Sequence, residues 1–327
     1  MKNVFFFVLA IVFTVGSGFI STPDILAQPM EMKAISFVST NNPMTVMAQE
    51  WIDRVNREAK GELTIKYLGG PEVIPTPEQP EATRKGVVQI LFGAGSFYES
   101  LLPENMAYIL SKLSCEEERK PGGFYDFMVE RHKRIGLMYL GRWFYGPFHL
   151  WTKDPVRNVK DLAGRKMRTA GLYDRFMKGL GIVPVTVSPA DVYTALERGI
   201  VDGFGWPIIG PRDSGWVEKC KYVIEQPFYY AQNTLILMNL DAWNKLPKTL
   251  QAKLAGLTAK FEPDMVAHFQ KEIEKEWEAL KKAGVKPVKL SPEEAKYYVD
   301  TAHRVEWEAL EKKVPDLVPR LKSSTGN

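Results

Sequence analysis

Residues 162–207 constrain this chain more than any other stretch, because they set a short strand, a helix and a second strand in one glycine-punctuated run. Lys166, Met167, Arg168 and Thr169 stand between Gly164 and Gly171, which predicts a strand whose end delivers one arginine, Arg168, above a sheet. Ser188 as N-cap, Pro189 at the first helical position and Asp191 at the third predict a helix start. Val192, Ala195 and Leu196 share one face of that helix, and Gly199 stops it. Ile200, Val201, Asp202 and Gly203 return at once as a strand leading into Phe204, Gly205, Trp206 and Pro207. Two strand ends are thereby brought beside one helix, and open α/β sheets bind their ligands at such carboxyl ends.

The run from Val159 onward, "VKDLAGRKMRTAG" and then "SPADVYTALERGIVDGFGWP", resembles the DctP-type solute-binding proteins of tripartite ATP-independent periplasmic (TRAP) transporters. The likeness extends from about Lys33 to the last helices. It implies an α/β fold of the two-lobed periplasmic binding protein kind, with a ligand cleft between the lobes and paired crossover strands. It also implies that Arg168 grips a ligand carboxylate, that the chain is no enzyme, and that its partners are an organic-acid ligand and the TRAP membrane permease subunits. Many relatives carry an Asn where Trp206 stands; the indole here favours an acid with an apolar or aromatic body over a sugar acid. Gly205 brings no side-chain oxygen, so neither a metal nor a cofactor is expected.

Composition agrees with a secreted globular protein. Apolar residues make up 45% and charged residues 25%, and the net charge of +4 is interspersed, with no basic stripe for nucleic acid. Lys2 precedes an apolar run over residues 4–15 and a stretch ending near Ala27, the pattern of a signal peptide over residues 1–27 and export to the periplasm. That run is short of the roughly 20 residues a membrane span requires. Cys115 and Cys220 are the only cysteines; export permits a disulfide, and two unpaired thiols are the favoured reading. The four histidines, His132, His149, His268 and His303, lack metal-ligand spacing.

Along the chain, residues 32–39 and 63–68 read as strands around a helix over residues 43–60, a right-handed β-α-β unit whose apolar face holds Trp51. Residues 87–92 form a strand ending in Gly93, Ala94, Gly95 and Ser96, where small residues let a ligand approach the backbone, with Phe97 or Tyr98 at the rim. No Walker motif or GxGxxG accompanies them, so nucleotide binding is rejected. The resemblance puts a first crossover near residues 143–149, which makes Tyr145 a ligand candidate, and a second near residues 228–234, which adds Tyr230. The lobes expected are residues 28–145 with 232–270, and residues 146–231 with 271–327. Trp206, Tyr145, Phe97, Tyr98 and Tyr230 would then wall an aromatic pocket anchored by Arg168. Asp202 and Glu197 read as structural, and no nucleophile elbow, CxxC or HExxH occurs. A periplasmic enzyme or a ligand-sensing module for a carboxylated molecule remains the alternative.

Overall fold

The computed structural model describes residues 29–327, so the signal-peptide segment over residues 1–27 lies outside the described residues. Two sheets carry the fold. The strands of the first are β1 (Met30–Ser36), β2 (Leu63–Gly69), β3 (Ile90–Ala94) and β4 (Leu137–Arg142). The second holds β5 (Phe148–Thr152), β6 (Lys166–Thr169), β7 (Val183–Thr186), β8 (Gly203–Pro207) and β9 (Tyr222–Ile224). The chain then returns to the first sheet with β10 (Thr234–Asn239) and ends its strands in the second with β11 (Lys286–Val288). Strand orders are β2-β1-β3-β10-β4 and β11-β9-β5-β8-β6-β7. Every residue of β3, β4, β5, β8 and β10 is buried, as befits central strands covered on both faces.

Local sequence explains the elements that carry the site. The helix Val46–Glu58 buries Met47, Ala48, Trp51, Ile52 and Val55 on one side, and the Trp51 indole donates to Thr258 Oγ1 at 3.0 Å. Trp51 is therefore core. After Ser188 the chain makes a 3-10 turn, Pro189–Asp191, before the helix Val192–Glu197. The expected Ser188 cap is not formed; its hydroxyl donates instead to Asp191 Oδ2 at 2.5 Å. Gly199 ends the helix at φ +68, a left-handed conformation cheap only for glycine.

The strand expected from Ile200 begins only at Gly203, where pairing with Thr152 of β5 starts. A Cβ on Gly203 would lie 2.0 Å from the Trp151 carbonyl, so glycine permits that approach. Asp202 instead staples the start of β6, its Oδ2 accepting from Lys166 N at 2.9 Å. Glu197 pairs with Lys219 on the surface.

Two crossovers join the lobes side by side. Phe148 N donates to Tyr229 O at 2.9 Å, Phe228 N to Phe148 O at 3.0 Å, and Thr234 Oγ1 to Phe144 O at 3.1 Å. Gln232 Nε2 adds a bond to Gly146 O. Antiparallel extended segments bonded in this way form a two-stranded hinge. A third link is the 35-residue helix Lys248–Lys282, about 52 Å long at 1.5 Å per residue. It starts against β4 and the helix Val46–Glu58 and leads into β11 of the second sheet.

Residues 271–327, expected wholly in the second lobe, do not stay there. The helix Pro292–Lys313 packs on both the helix Asp174–Gly179 and the 3-10 segment Pro103–Leu110. The C-terminus then bonds to the first lobe through Lys112 N to Thr325 O and Asn327 Nδ2 to Leu110 O. Its apolar positions, Leu310, Val318 and Leu321, belong to a core cluster shared by both lobes, and burying them there is what draws the chain back. Cys115 and Cys220 are free thiols, each pushed up to about 12 by burial.

Candidate functional site

An internal cavity lies where β3, β6, β8 and the second crossover converge. The first lobe supplies Phe37, Met44, Ser96 and Phe97, the second Arg168, Leu172, Tyr173 and Trp206, and the crossover Gln232, Asn233 and Thr234. The space between its walls is about 410 Å³, open solvent at the mouth included, and water centres reach about 30 Å³ of it.

Arg168 is fully buried near the end of β6. Its Nε donates to Val187 O at 2.8 Å and its Nη1 to Tyr173 Oη at 3.0 Å. No carboxylate pairs with it, and its Nη2 has no partner among the described residues. Burial lowers its pKa, opposed only by Tyr173, but a guanidinium stays protonated even so. The strand thus presents a permanent charge with one free edge to a chamber that is mostly apolar and has Ser96, Gln232, Asn233 and Thr234 on its wall.

Tyr173 holds that charge in place. Its hydroxyl donates to Gly205 O while accepting from Arg168, and its ring lies across Gly205, where a Cβ would come within 2.5 Å of Cε2. Gly205 is therefore small to admit this ring. Trp206 sits beside the guanidinium, with Arg168 Cζ 5.2 Å from the ring centroid, a cation–π distance. Its indole N–H is already committed to Ile209 O at 3.2 Å, so Trp206 offers a ligand its face and not a donor. Phe97 packs at 5.7 Å against Phe37, which meets Trp143 edge-on.

The structure brings Arg168, Trp206 and Phe97 together on this cavity and places the other three candidates elsewhere. Tyr98 is buried in the first lobe, its hydroxyl 2.9 Å from His132 Nε2. It follows Phe97 in a 3-10 turn of about 120° per residue, so the neighbours point apart. Tyr145 and Tyr230 line a separate open cleft with Ser111, Arg142 and His303. Tyr230 is exposed, accepting from Gln226 Nε2 at 2.7 Å. Their crossover segments are extended, so consecutive side chains alternate between opposite sides. The residues missed are Tyr173 and Asn233. Tyr173 follows Arg168 by five positions, beyond a turn at Gly171, so its place after the β6 strand end was an available signal; Asn233 directly precedes β10 and carried none.

Among the described residues no group of three His, Cys, Asp or Glu is arranged to hold a metal ion, and no helix is long and apolar enough to cross a membrane. The cavity lining itself contains no Asp, Glu, His or Cys.

Two lobes of mixed sheet on a double-strand hinge, closed over a buried cation, define the class of extracytoplasmic solute-binding receptors. The chain belongs to the family described as "Bacterial extracellular solute-binding protein, family 7", whose model matches residues 35–313. The C4-dicarboxylate-binding periplasmic protein DctP of Rhodobacter capsulatus is 22% identical over 311 residues, 92% of each chain. A monocarboxylate 2-oxoacid-binding periplasmic protein of Nostoc is 38% identical over 108 residues, which span 31% of this chain and 28% of that one. Among solved structures, a TRAP periplasmic solute-binding protein of Desulfovibrio salexigens with bound orotic acid superposes with a TM-score of 0.82 at 18% identity, covering 90% of this chain and 98% of that one. The protein is thus a bacterial extracellular solute-binding protein, and a carboxylate, orotic acid, occupies a relative of the same fold.

Proposed function

We propose that Arg168 receives the carboxylate of a small organic acid on its free Nη2 edge, while Trp206, Phe97 and Phe37 cover the acid's apolar body. The observation that carries this reading is a fully buried guanidinium with no acid among the described residues against it. An isolated buried charge is costly, and an anion that fills the site removes the cost. Because the cavity draws its walls from both lobes, the anion makes its full contacts only when they are closed, and so shifts the population toward closure. The closed form then hands the acid to a TRAP-type membrane permease.

The ligand leaves unaltered. A lining without Asp, Glu, His or Cys offers no general base beside a nucleophile, which favours a receptor over an enzyme. Arg168→Ala tests the reading by calorimetry against whichever member of a carboxylate panel binds the native protein best. Losing one partner of a closed ion pair costs about 2–5 kcal/mol, so Kd rises roughly thirtyfold or more. Unchanged affinity in a folded variant removes Arg168 from the site.

A further inference from the structure

In addition to the free edge of Arg168, the cavity lining holds a second unsatisfied group. Asn233 is 1% exposed and lines the same space, yet neither its Nδ2 nor its Oδ1 has a partner among the described residues. Its backbone carbonyl is engaged by Gly95 N at 2.9 Å, so the side chain alone is left unpaired. Because both amide atoms lack partners, exchanging the N and O assignments changes nothing. A buried amide needs both an acceptor and a donor to be satisfied.

We propose that the ligand is a small monocarboxylate carrying, next to the carboxylate, one group that both donates and accepts a hydrogen bond, and that Asn233 is the residue that selects it. The inference rests on the carboxylate reading of Arg168. A 2-hydroxyl meets the requirement, accepting from one amide atom and donating to the other. A 2-oxo group satisfies only the donor of Asn233 and leaves its oxygen bare. A methylene leaves both bare.

The rest of the lining narrows the class further. Among the described residues Arg168 is the only basic side chain on the cavity, so a second carboxylate enclosed there would be buried without a counter-ion. Of the other polar side chains on the lining, Tyr173, Gln232 and Thr234 already hydrogen-bond within the protein, so most hydroxyls of a sugar acid would face Phe37, Met44, Phe97 and Leu172. The ligand is therefore one charge, one amphoteric polar group and a short apolar remainder.

The test titrates the native protein with 2-hydroxy-3-methylbutanoate, 2-oxo-3-methylbutanoate, 3-methylbutanoate and succinate by calorimetry. Affinity is expected to fall in the order hydroxy, oxo, unsubstituted, with roughly ten- to hundredfold between first and third, and succinate weaker than the hydroxy acid. In Asn233→Ala the hydroxy-to-unsubstituted ratio should collapse to within about threefold. Equal binding of the hydroxy and unsubstituted acids, a preference for succinate, or a ratio that survives Asn233→Ala overturns the proposal. The ligand series on native protein decides it even if the variant does not fold. Should none of the acids bind, or should Arg168→Ala leave their affinity intact, the carboxylate reading itself has failed, an outcome distinct from a wrong order among acids that do bind.

Discussion

Two arginines of this molecule are buried on strands, one in each lobe, and they have met opposite fates. Arg142, at the end of β4, donates from Nη2 to both oxygens of Glu118 at 2.6 and 2.7 Å, and Glu118 is itself buried and bonded to Ser111 Oγ. Arg168, near the end of β6, has a carbonyl, a phenol and an indole face around it but no acid. Their pKa values move apart accordingly: Glu118 holds Arg142 above its ordinary value despite burial, whereas burial without an acid lowers Arg168. Arg142 shows what this fold does with a guanidinium it uses for structure. The missing acid at Arg168 is therefore informative, because the chain supplies one where it wants the charge neutralised.

Breaking the structural pair is expected to give the largest effect. Arg142→Ala leaves Glu118 buried without its counter-ion, which costs about 3–5 kcal/mol of stability. Arg168→Ala leaves no orphaned acid, so the unfolding free energy should stay within about 1 kcal/mol of the native value while binding is lost. Urea unfolding of both variants checks the contrast. An equal loss of stability in the two would make Arg168 a structural residue like its counterpart.

Acid, by contrast, should strike both lobes alike. His132 in the first lobe and His149 in the second are fully buried, and desolvation holds each down to about 4. A histidine kept neutral in the fold is lost to stability as pH falls from the unfolded value near 6.5 through 4, about 3 kcal/mol each. Glu306 opposes them, since burial pushes its carboxyl up to about 7, and its contribution grows as pH falls over the same range. Glu118 and Glu262, also raised by burial, act with Glu306, while His303 and the hydrogen-bonded carboxylates of Glu72 and Asp161, all held low, act with the histidines, and a net loss of stability is expected between pH 7 and pH 4. Urea midpoints across that range measure it; a midpoint that rises toward pH 4 would show that the raised carboxyls outweigh the groups held low.

What was legible in the sequence follows the same division between pattern and partner. Apolar periodicity and glycine punctuation place β6, the helix over Val192–Glu197 and Trp51 in the core, and the strand tip at Arg168 follows from them. The aromatic candidates were harder, because aromatic content near a crossover does not say which side of an extended segment faces the cavity. Phe97 faces it and Tyr98 does not, one residue apart. Trp206 is at the site, but only the structure reveals that Ile209 takes its N–H. Asn233 was invisible for a further reason: a lone amide carries no periodic signal, and its importance lies in partners it lacks.

The smallest effect concerns how the two lobes are held around these arginines. Arg175, two residues after Tyr173, donates to Glu99 at 2.8 Å, and Glu99 comes two residues after Phe97. The bridge thus ties together, across the cleft, the two segments that wall the cavity, with Lys313 also on Glu99 at 2.7 Å. Side-chain exposures of 25% for Arg175 and 15% for Glu99 leave it partly screened, which limits its worth to about 1 kcal/mol. Glu99→Gln removes the charge yet keeps Arg175 paired with Glu306, so the fold is retained. Because the bridge spans the lobes, its loss should lower the closed population and raise Kd about three- to sixfold for every ligand alike, without changing their order. Uniform weakening in calorimetry would separate closure from recognition. A change confined to one acid would instead place Glu99 among the groups that read the ligand, and no change would show that the lobes close on the anion at Arg168 without help from this bridge.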